Sequence, residues 1–248
     1  GERRLQGLVH GGVEEGDGQR LAMKLTAVFP GRKAAVMIKH EMPSGVALGD
    51  TPEEAFERAW NVDALSNFGS VDVFNFAVNA AVARFLVESP RNVEVVYAPD
   101  FEPDALEILA GRKPLRVVRM GAPLTEPSVD NGLEIKRVAG GLLLQKRFDS
   151  KIVSPESVDV VSKRKPTETE VRAALLCWTV ACFTRSNAVV IGTEDRIHGI
   201  GSGQRSRIDS AENAIKLSRR GYGHLGCVLA SDAFMPFPDV VELAAASG

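Results

Sequence analysis

Short apolar runs alternate along this chain with longer segments in which apolar residues recur at helical spacing. Each run is bounded by glycine, proline or polar residues, which is typical of a buried strand. We predict strands at Ala34–Ile38, Val93–Ala98, Leu115–Arg119, Leu142–Gln145, Ala188–Gly192 and Cys227–Ala230. We predict helices from Thr51 to about Asn61 and at Asn79–Val87, Pro103–Ala110, Glu168–Phe183, Ser206–Arg219 and Val240–Ala246. Strands that alternate with helices predict a layered α/β fold, in which helices cover a largely parallel or mixed sheet.

Two of the predicted helices begin with strong local signals. Thr51 precedes Pro52 and two glutamates. In this arrangement the threonine caps the helix, the proline occupies its first position, and the acids lie near the positive end of the helix dipole. Thr167 is followed three residues later by Glu170, so we expect a capping box at the start of the strongest predicted helix.

Two polar segments interrupt this pattern. Gly121–Gly132 is rich in Pro, Gly, Asp and Asn, which predicts a linker or a long loop. Ser150–Pro166 is also polar and is interpreted as a connection. The halves on either side of the first segment, residues 1–125 and 126–248, are candidates for separate α/β subdomains.

Composition and charge exclude several classes of protein. The formal net charge of the 248 residues is -2, so nothing attracts the whole chain to nucleic acid or to an anionic membrane. The three cysteines form no CxxC pair, which argues against a disulfide framework and a zinc site and favours a reducing, cytoplasmic location. The chain has no apolar run of the roughly 18 residues that predict a membrane span. No apolar stretch follows Gly1–Arg4 as in a signal peptide.

Lys39 and His40 follow directly after the predicted strand Ala34–Ile38, and a Pro-Ser-Gly turn is expected next. Ligands of α/β sheets bind beyond the carboxyl ends of strands, so this position suits side chains with a catalytic or ligand-binding role. An imidazole can transfer a proton near neutral pH, and an adjacent ammonium can stabilise an anion. The dipeptide alone favours the alternative, in which Lys39 is solvated at the strand end and His40 is structural.

Three later segments also carry chemistry that allows two interpretations. Asn187 suits recognition of a carboxamide, or is an ordinary turn residue. Gly199–Arg207 either lets a ligand approach the backbone, with a helix start and Arg207 binding an anion, or is a Gly-rich hairpin. Ser231–Asp239 offers aromatic and proline faces for a flat heterocycle, or is a rigid loop that plugs the core. The remaining histidines are interpreted as surface or structural residues: His10, His198 and His224.

Eight short blocks occur in an order that is highly specific, although each is weak alone. They include Lys-His-x-x-Pro-x-Gly and Ser-Asp-Ala-Phe-x-Pro-Phe, and their positions are Lys39–Gly45, Ser66–Gly69, Ala98–Glu102, Gly140–Gln145, Lys163–Thr167, Ser186–Ala188, Gly199–Arg207 and Ser231–Phe237. Over about residues 5–248 the chain resembles the transformylase domain of the bifunctional AICAR transformylase/IMP cyclohydrolase family. AICAR is 5-aminoimidazole-4-carboxamide ribonucleotide.

This resemblance implies a reaction in which a formyl group passes from 10-formyltetrahydrofolate, as cosubstrate, to the 5-amino group of AICAR during purine biosynthesis. It also implies a cytidine-deaminase-like α/β fold in two tandem subdomains, without the deaminase zinc, and a homodimer whose subunits share the active site. The sequence agrees on zinc, because it lacks the H-x-E and P-C-x-x-C signature of the deaminases.

The resemblance implies roles for individual residues. Lys39 and His40 match the catalytic pair, in which the histidine is the base for the amine and the lysine stabilises the oxyanion. The residues that match substrate-binding positions are Gly69, Glu94, Asn187, Arg207, Phe234 and Pro236. Asp239 matches an acid near the folate. No residue matches a metal ligand.

The sequence departs from the family in three ways. It contains neither the Arg-Tyr-Gly-x-Asn-Pro-His-Gln block nor the terminal Arg-x-Phe-x-His block, both of which help bind the nucleotide, and Pro238 stands where an arginine is usual. Arg207 is therefore expected to carry an unusual share of the phosphate affinity, unless it pairs with Asp209 or Glu212 of its own helix. The alternative function is a diverged or truncated paralogue that binds a nucleotide or folate with little or no catalysis.

Overall fold

The computed structural model describes residues 11–88, 91–121, 133–146 and 154–248. Most of the predicted linker Gly121–Gly132 and the beginning of the predicted connection Ser150–Pro166 lie outside this part, as does the boundary between the predicted subdomains. The described remainder of that connection includes a short 3-10 helix at Pro155–Ser157.

The first helix, α1 (Gly11–Val28), was not predicted, because its first half contains four glycines, which disfavour helix. Tertiary packing overrides that preference, since Leu21 and Leu25 are fully buried. Gly18 brings the helix close to the sheet: a Cβ at this position would lie 2.9 Å from Ile38.

A mixed sheet of five strands forms the centre of the first half. Its strands are β1 (Lys33–Lys39), β2 (Met42–Gly49), β3 (Ser70–Phe74), β4 (Val93–Ala98) and β5 (Arg116–Arg119). They lie in the order β2-β1-β3-β4-β5. β1 is antiparallel to both of its neighbours, whereas β3, β4 and β5 run parallel. The structure thus confirms three predicted strands and a mixed sheet, and it adds β2 and β3.

The turn that follows β1 differs from the prediction. Pro43, Ser44 and Gly45 are part of β2 rather than a turn. The reversal is made instead by His40 and Glu41, whose φ angles are 52° and 64°. Both residues therefore adopt the left-handed conformation, which is uncommon outside glycine. This tight β1–β2 turn projects His40 from the end of the sheet.

Three helices cover one face of this sheet, at the positions predicted: α2 (Pro52–Trp60), α3 (Ala80–Val87) and α4 (Pro103–Ala110). The side chain of Thr51 accepts a hydrogen bond from the Glu54 N–H at 3.3 Å, which confirms the predicted cap. The helices enclose an aromatic cluster in which Phe56 and Phe74 are fully buried.

The other face of the sheet packs against α1, which in turn contacts α5 (Glu168–Ala181). The capping box at the start of α5 is confirmed, since Thr167 and Glu170 exchange hydrogen bonds between side chain and backbone. Leu25 from the first half and Leu176 and Val190 from the second belong to one buried cluster. The two halves therefore share a hydrophobic core.

The strands β6 (Leu133–Val138) and β7 (Gly141–Lys146) form a separate antiparallel hairpin. All twelve of its residues are exposed. Because side chains alternate across a strand, one face carries four large apolar side chains, those of Leu133, Ile135, Leu142 and Leu144. A two-stranded hairpin is marginally stable alone in water, so this apolar face is a candidate contact surface.

A second, antiparallel sheet holds the later strands β8 (Val189–Gly192), β9 (Ile197–Gly201) and β10 (Val228–Ser231), in the order β10-β8-β9. The helices α6 (Arg207–Ser218) and α7 (Asp239–Ser247) follow β9 and β10 along the chain. The predictions at Ala188–Gly192, Ser206–Arg219, Cys227–Ala230 and Val240–Ala246 are confirmed within one or two residues, and β9 was missed. Within the described ranges, no helix is long and apolar enough to cross a membrane.

The structure explains the Gly-rich stretch before α6 in a way that the sequence did not. Gly199 and Gly201 are strand residues that lie directly under the backbone of α6. A Cβ on Gly199 would lie 2.1 Å from the carbonyl oxygen of Ala214, and one on Gly201 would lie 1.8 Å from that of Ser210. These two glycines permit close helix–strand packing rather than close approach of a ligand. Only Gly203 of this stretch has a positive φ, 65°, with open space around it.

Candidate functional site

Lys39 lies at the end of β1 and is held by two backbone carbonyls. Its Nζ donates hydrogen bonds to the oxygens of Phe68 at 2.8 Å and Gly69 at 3.0 Å. Gly69 has a φ of 82°, a conformation that favours glycine. A Cβ on Gly69 would lie 2.6 Å from Nζ of Lys39 and 3.4 Å from Oε1 of Glu94. Three of the predicted site residues therefore meet at one point, where glycine leaves room for the lysine.

His40 is exposed beside this cluster. Together with Lys39 it lines a cleft of about 210 Å³. The opposite wall includes His198 and Ser202, which belong to the second half of the chain. The base implied by the resemblance is therefore accessible and faces a cleft that both halves build.

His198 is a structural residue of this cleft, in agreement with the interpretation from the sequence. It is 8% exposed, and its Nδ1 lies 2.8 Å from the carbonyl oxygen of Gly223. Burial lowers its pKa, and the hydrogen bond to Gly223 opposes that effect only in part. His198 is therefore a neutral wall residue near pH 7. His224 lies 3.2 Å from the hydroxyl of Ser218, and His10 lies outside the described residues.

A second cavity, of about 400 Å³, lies beside the start of α6. It is the larger of these two and is called the larger cavity below. Five of the predicted site residues line it: Asn187, Arg207, Phe234, Pro236 and Asp239. Phe234 is 81% exposed and Phe237, also in the lining, is 67% exposed. Exposed rings around a concave surface suit contact with a flat apolar or heterocyclic group. The segment Ser231–Asp239 is therefore a cavity wall rather than a plug in the core.

The amide of Asn187 is oriented by the loop that precedes α6. Its Nδ2 donates a hydrogen bond to the carbonyl oxygen of Gln204 at 2.9 Å. No residue within the described ranges donates a hydrogen bond to its Oδ1, and the side chain lines the cavity. The side chain can therefore accept a hydrogen bond from the N–H group of a carboxamide or an amine.

Arg207 does not pair with Asp209 or Glu212, which the sequence offered as its alternative partners. Its Nη1 donates hydrogen bonds to Asp232 at 2.5 Å and to the hydroxyl of Ser231 at 2.6 Å. The two charged side chains are only 13% and 19% exposed. Their spacing in the sequence, 25 residues, explains why local reasoning missed the pair. The positive charge of Arg207 is thus already balanced within the protein.

Asp232 is tied to its surroundings by several donors. Partial burial favours a raised pKa for its carboxyl group, but hydrogen bonds from Ser186, Arg207 and the Ala188 N–H outweigh that effect and hold the pKa below its ordinary value. The carboxylate accepts the Ala188 N–H bond at 3.0 Å. Asp232 therefore stays ionised near pH 7 and links β8, β10 and α6 behind the cavity wall.

The two groups of predicted residues line different cavities, and the linings have no residue in common. An ion pair connects the surroundings of the two cavities. Glu41, next to His40, pairs with Arg185, which lies two residues before Asn187. The structure thus assembles one lysine–histidine cluster and one substrate-sized cavity in adjacent parts of the molecule.

Sequence reasoning missed two residues at these cavities. Arg205 lines the larger cavity, is exposed, and forms no ion pair within the ranges that the structure describes. Asp63 lines the cleft beside Lys39 and His40 and is held by Ser66 and Arg220. A second arginine in the loop before α6 was a visible signal for Arg205, whereas nothing local distinguished Asp63.

No group of three or more His, Cys, Asp or Glu side chains within the described ranges could hold a metal ion. A comparison with protein families matches the model described as AICARFT/IMPCHase bienzyme over residues 17–217. The match contains Lys39, His40, Gly69, Glu94, Asn187 and Arg207, and it extends over most of the chain. On this match the chain belongs to the AICARFT/IMPCHase bienzyme family, a family of enzymes of purine biosynthesis.

Proposed function

We propose that this protein transfers a formyl group from 10-formyltetrahydrofolate to the 5-amino group of AICAR, and so acts as a phosphoribosylaminoimidazolecarboxamide formyltransferase. Family membership supports the reaction class. The observation that carries the proposal is the placement of Lys39 against the carbonyls of Phe68 and Gly69, with the exposed His40 next to it. These groups supply an ammonium donor and a base at one position.

In the proposed mechanism the amine nitrogen attacks the formyl carbon, and His40 accepts the proton that the amine loses. The carbonyl oxygen gains negative charge as the new C–N bond forms. Lys39 uses two of its three N–H donors on backbone carbonyls, which leaves the third for this oxyanion. The intermediate then collapses, the bond from the formyl carbon to N10 of the folate breaks, and His40 returns its proton to N10, which restores the folate amine.

The larger cavity is proposed to bind the AICAR heterocycle and part of the folate. Phe234 and Pro236 would contact the flat rings, and the free Oδ1 of Asn187 would accept a hydrogen bond from the carboxamide. Arg207 has its Nη1 on Asp232 and Ser231 and would contact the nucleotide through its other edge. Glu94 and Gly69 would lie near the substrate on the lysine side, and Asp239 near the folate.

A homodimer with a shared site is proposed for two reasons. The lysine–histidine cluster and the larger cavity have separate linings, so a second subunit could bring the two kinds of surface together. The hairpin β6–β7 also exposes an apolar face, on which Leu144 is 58% exposed.

Leu144→Glu should shift sedimentation towards the monomer, whereas Leu143→Glu, on the opposite face, should not. Equal sedimentation of both variants and the unmodified protein would exclude this face from the dimer contact.

The finer fold predictions also remain proposals: a cytidine-deaminase-like layering and two tandem subdomains, residues 1–125 and 126–248. The five-stranded sheet of the first half and the three-stranded sheet of the second half support a tandem arrangement. A cytoplasmic location stays a prediction from the cysteine usage.

The second candidate function is that of a diverged paralogue that binds a nucleotide or folate with little or no catalysis. The ion pair between Arg207 and Asp232 favours it, because a balanced arginine binds a phosphate less strongly than a free one.

A formyl-transfer assay with AICAR and 10-formyltetrahydrofolate separates the two candidates. Lys39→Gln and His40→Ala should each lower turnover at least about a hundredfold. The matched control is Lys33→Gln, at the opposite end of β1, which should retain normal turnover. Nucleotide binding without turnover by the unmodified protein would favour the paralogue. Absence of both would contradict the two candidates together.

A further inference from the structure

The larger cavity contains two arginines whose electrostatic states differ. Arg207 is largely buried and holds Asp232 at 2.5 Å. Arg205 lines the same cavity, is exposed, and has no carboxylate partner within the described ranges. An incoming anion would have to compete with Asp232 for Arg207, whereas it meets no such competitor at Arg205.

We propose that Arg205 binds an oxyanion of the substrate in this cavity, and that the expected oxyanion is the phosphate of the nucleotide. This inference rests on the proposed function, because it assigns the charged end of the substrate to a particular residue. A guanidinium suits the task, since its planar fork of donors matches phosphate and carboxylate oxygens.

The rest of the lining fits a ligand that has a flat ring at one end and an oxyanion at the other. Phe234 offers an exposed ring to the flat group. Asn187 is oriented by Gln204 and presents its amide oxygen to polar edges. Asp239 is the first residue of α7, and its carboxylate accepts a hydrogen bond from the Val240 N–H at 2.8 Å. This contact orients the carboxylate at the start of its own helix.

The carboxylates of a folate glutamate tail have similar chemistry to a phosphate, so the experiment must distinguish these two sources. Titration calorimetry on Arg205→Gln would use four ligands: AICAR, its dephosphorylated nucleoside, and folates with one or several glutamates. Arg219→Gln is the matched control, because Arg219 is exposed and lies at the opposite end of α6. Arg205→Lys tests whether charge alone suffices.

We expect Arg205→Gln to weaken AICAR binding about ten- to a hundredfold, the usual effect of losing a charged hydrogen bond. Nucleoside affinity should stay unchanged, Arg205→Lys should restore part of the loss, and Arg219→Gln should have no effect. A loss confined to the polyglutamylated folate would support the oxyanion role and identify the carboxylate as its source. Equal losses for nucleotide and nucleoside, or no loss for any ligand, would overturn the proposal.

A fifth ligand, inorganic pyrophosphate, keeps this inference separate from the proposed function. If the unmodified protein binds neither AICAR nor folate but binds pyrophosphate, and Arg205→Gln weakens that binding, the proposed function fails while the anion site stands. If neither AICAR nor folate binds, two results with pyrophosphate would show that Arg205 has no oxyanion role. One is equal binding of pyrophosphate to the unmodified protein and to Arg205→Gln. The other is no binding of pyrophosphate to either protein.

Discussion

Asp72 offers a sharp test of the physical reasoning, because it is a carboxyl group in a position that suits an apolar residue. It lies on β3, is fully buried, and is on the same face of the sheet as Phe74. Its Oδ1 accepts a hydrogen bond from the hydroxyl of Ser70 at 2.6 Å. Its Oδ2 is buried and has no hydrogen-bond partner among the described residues. The neutral form of this carboxyl is therefore favoured in the folded protein.

Burial raises the pKa of Asp72 from 3.8 to about 7, although the Ser70 hydrogen bond opposes the change. Because the folded pKa lies above the unfolded one, folding holds the proton more tightly. Below pH 3.8 both states are protonated and no penalty exists. As pH rises from there to about 7, the unfolded state ionises first, and the free energy of unfolding falls by about 1.4 kcal/mol per pH unit, or about 4 kcal/mol in all.

The variant Asp72→Asn removes the titration while it keeps the size of the side chain. Urea unfolding, followed by tryptophan fluorescence at several pH values from 5 to 8, gives the difference in free energy of unfolding between variant and unmodified protein. We expect this difference to move in favour of the variant by about 3 kcal/mol between pH 5 and pH 8. All other titrating groups are common to both proteins and cancel in the difference.

Asp63→Asn is the matched control, because Asp63 is also buried but is partnered by Ser66 and Arg220. This change should lower the free energy of unfolding at pH 7 by about 1–3 kcal/mol, because the donors of Ser66 and Arg220 lose the carboxylate that accepts their hydrogen bonds. A difference for Asp72→Asn that is flat with pH, or that moves against the variant as pH rises, would refute the assignment of a raised pKa.

Four further predictions concern the site. His40→Ala should lower formyl transfer at least about a hundredfold with an unchanged circular dichroism spectrum; near-normal turnover would exclude it as the base. Gly69→Ala should displace Lys39, whose Nζ lies 2.6 Å from the new Cβ position, and should lower kcat in the same assay more than it raises KM. Arg207→Ala should lower the free energy of unfolding in urea by about 1–3 kcal/mol, because Asp232 loses its charged partner in a partly buried place; an unchanged midpoint would show that this ion pair contributes nothing. Turnover should survive extensive treatment with chelators, and a loss that zinc restores would show that the reaction needs a metal.

Local chemistry determined much of this protein from the sequence alone. The capping box of Thr167 and Glu170 and the cap at Thr51 involve residues three positions apart, so their geometry follows from the helix itself. Apolar runs between turn residues located most of the strands for a similar reason. The ordered blocks of residues were sufficient to indicate the family, because a set of short matches in fixed order is far more specific than any one of them.

Contacts between distant parts of the chain decided the features of the fold that local patterns did not predict. Helix α1 forms despite four glycines because Leu21 and Leu25 are buried by the sheet. Gly199 and Gly201 allowed either a ligand-binding loop or a Gly-rich hairpin, and they lie in β9 under the backbone of α6. In both cases packing against another element, rather than the local preference of the residues, decided the outcome.

The arrangement of the candidate site was also decided by the tertiary structure. The sequence named the residues but could not show that Asn187, Arg207 and Phe234 line one cavity while Lys39 and Gly69 belong to another cluster. It could not show that Asp232 neutralises Arg207, whereas Arg205 in the same cavity has no ion-pair partner in the part of the chain that the structure describes. A charge is available to a ligand only when no nearer partner holds it, and that depends on which residues folding brings together rather than on their order in the chain.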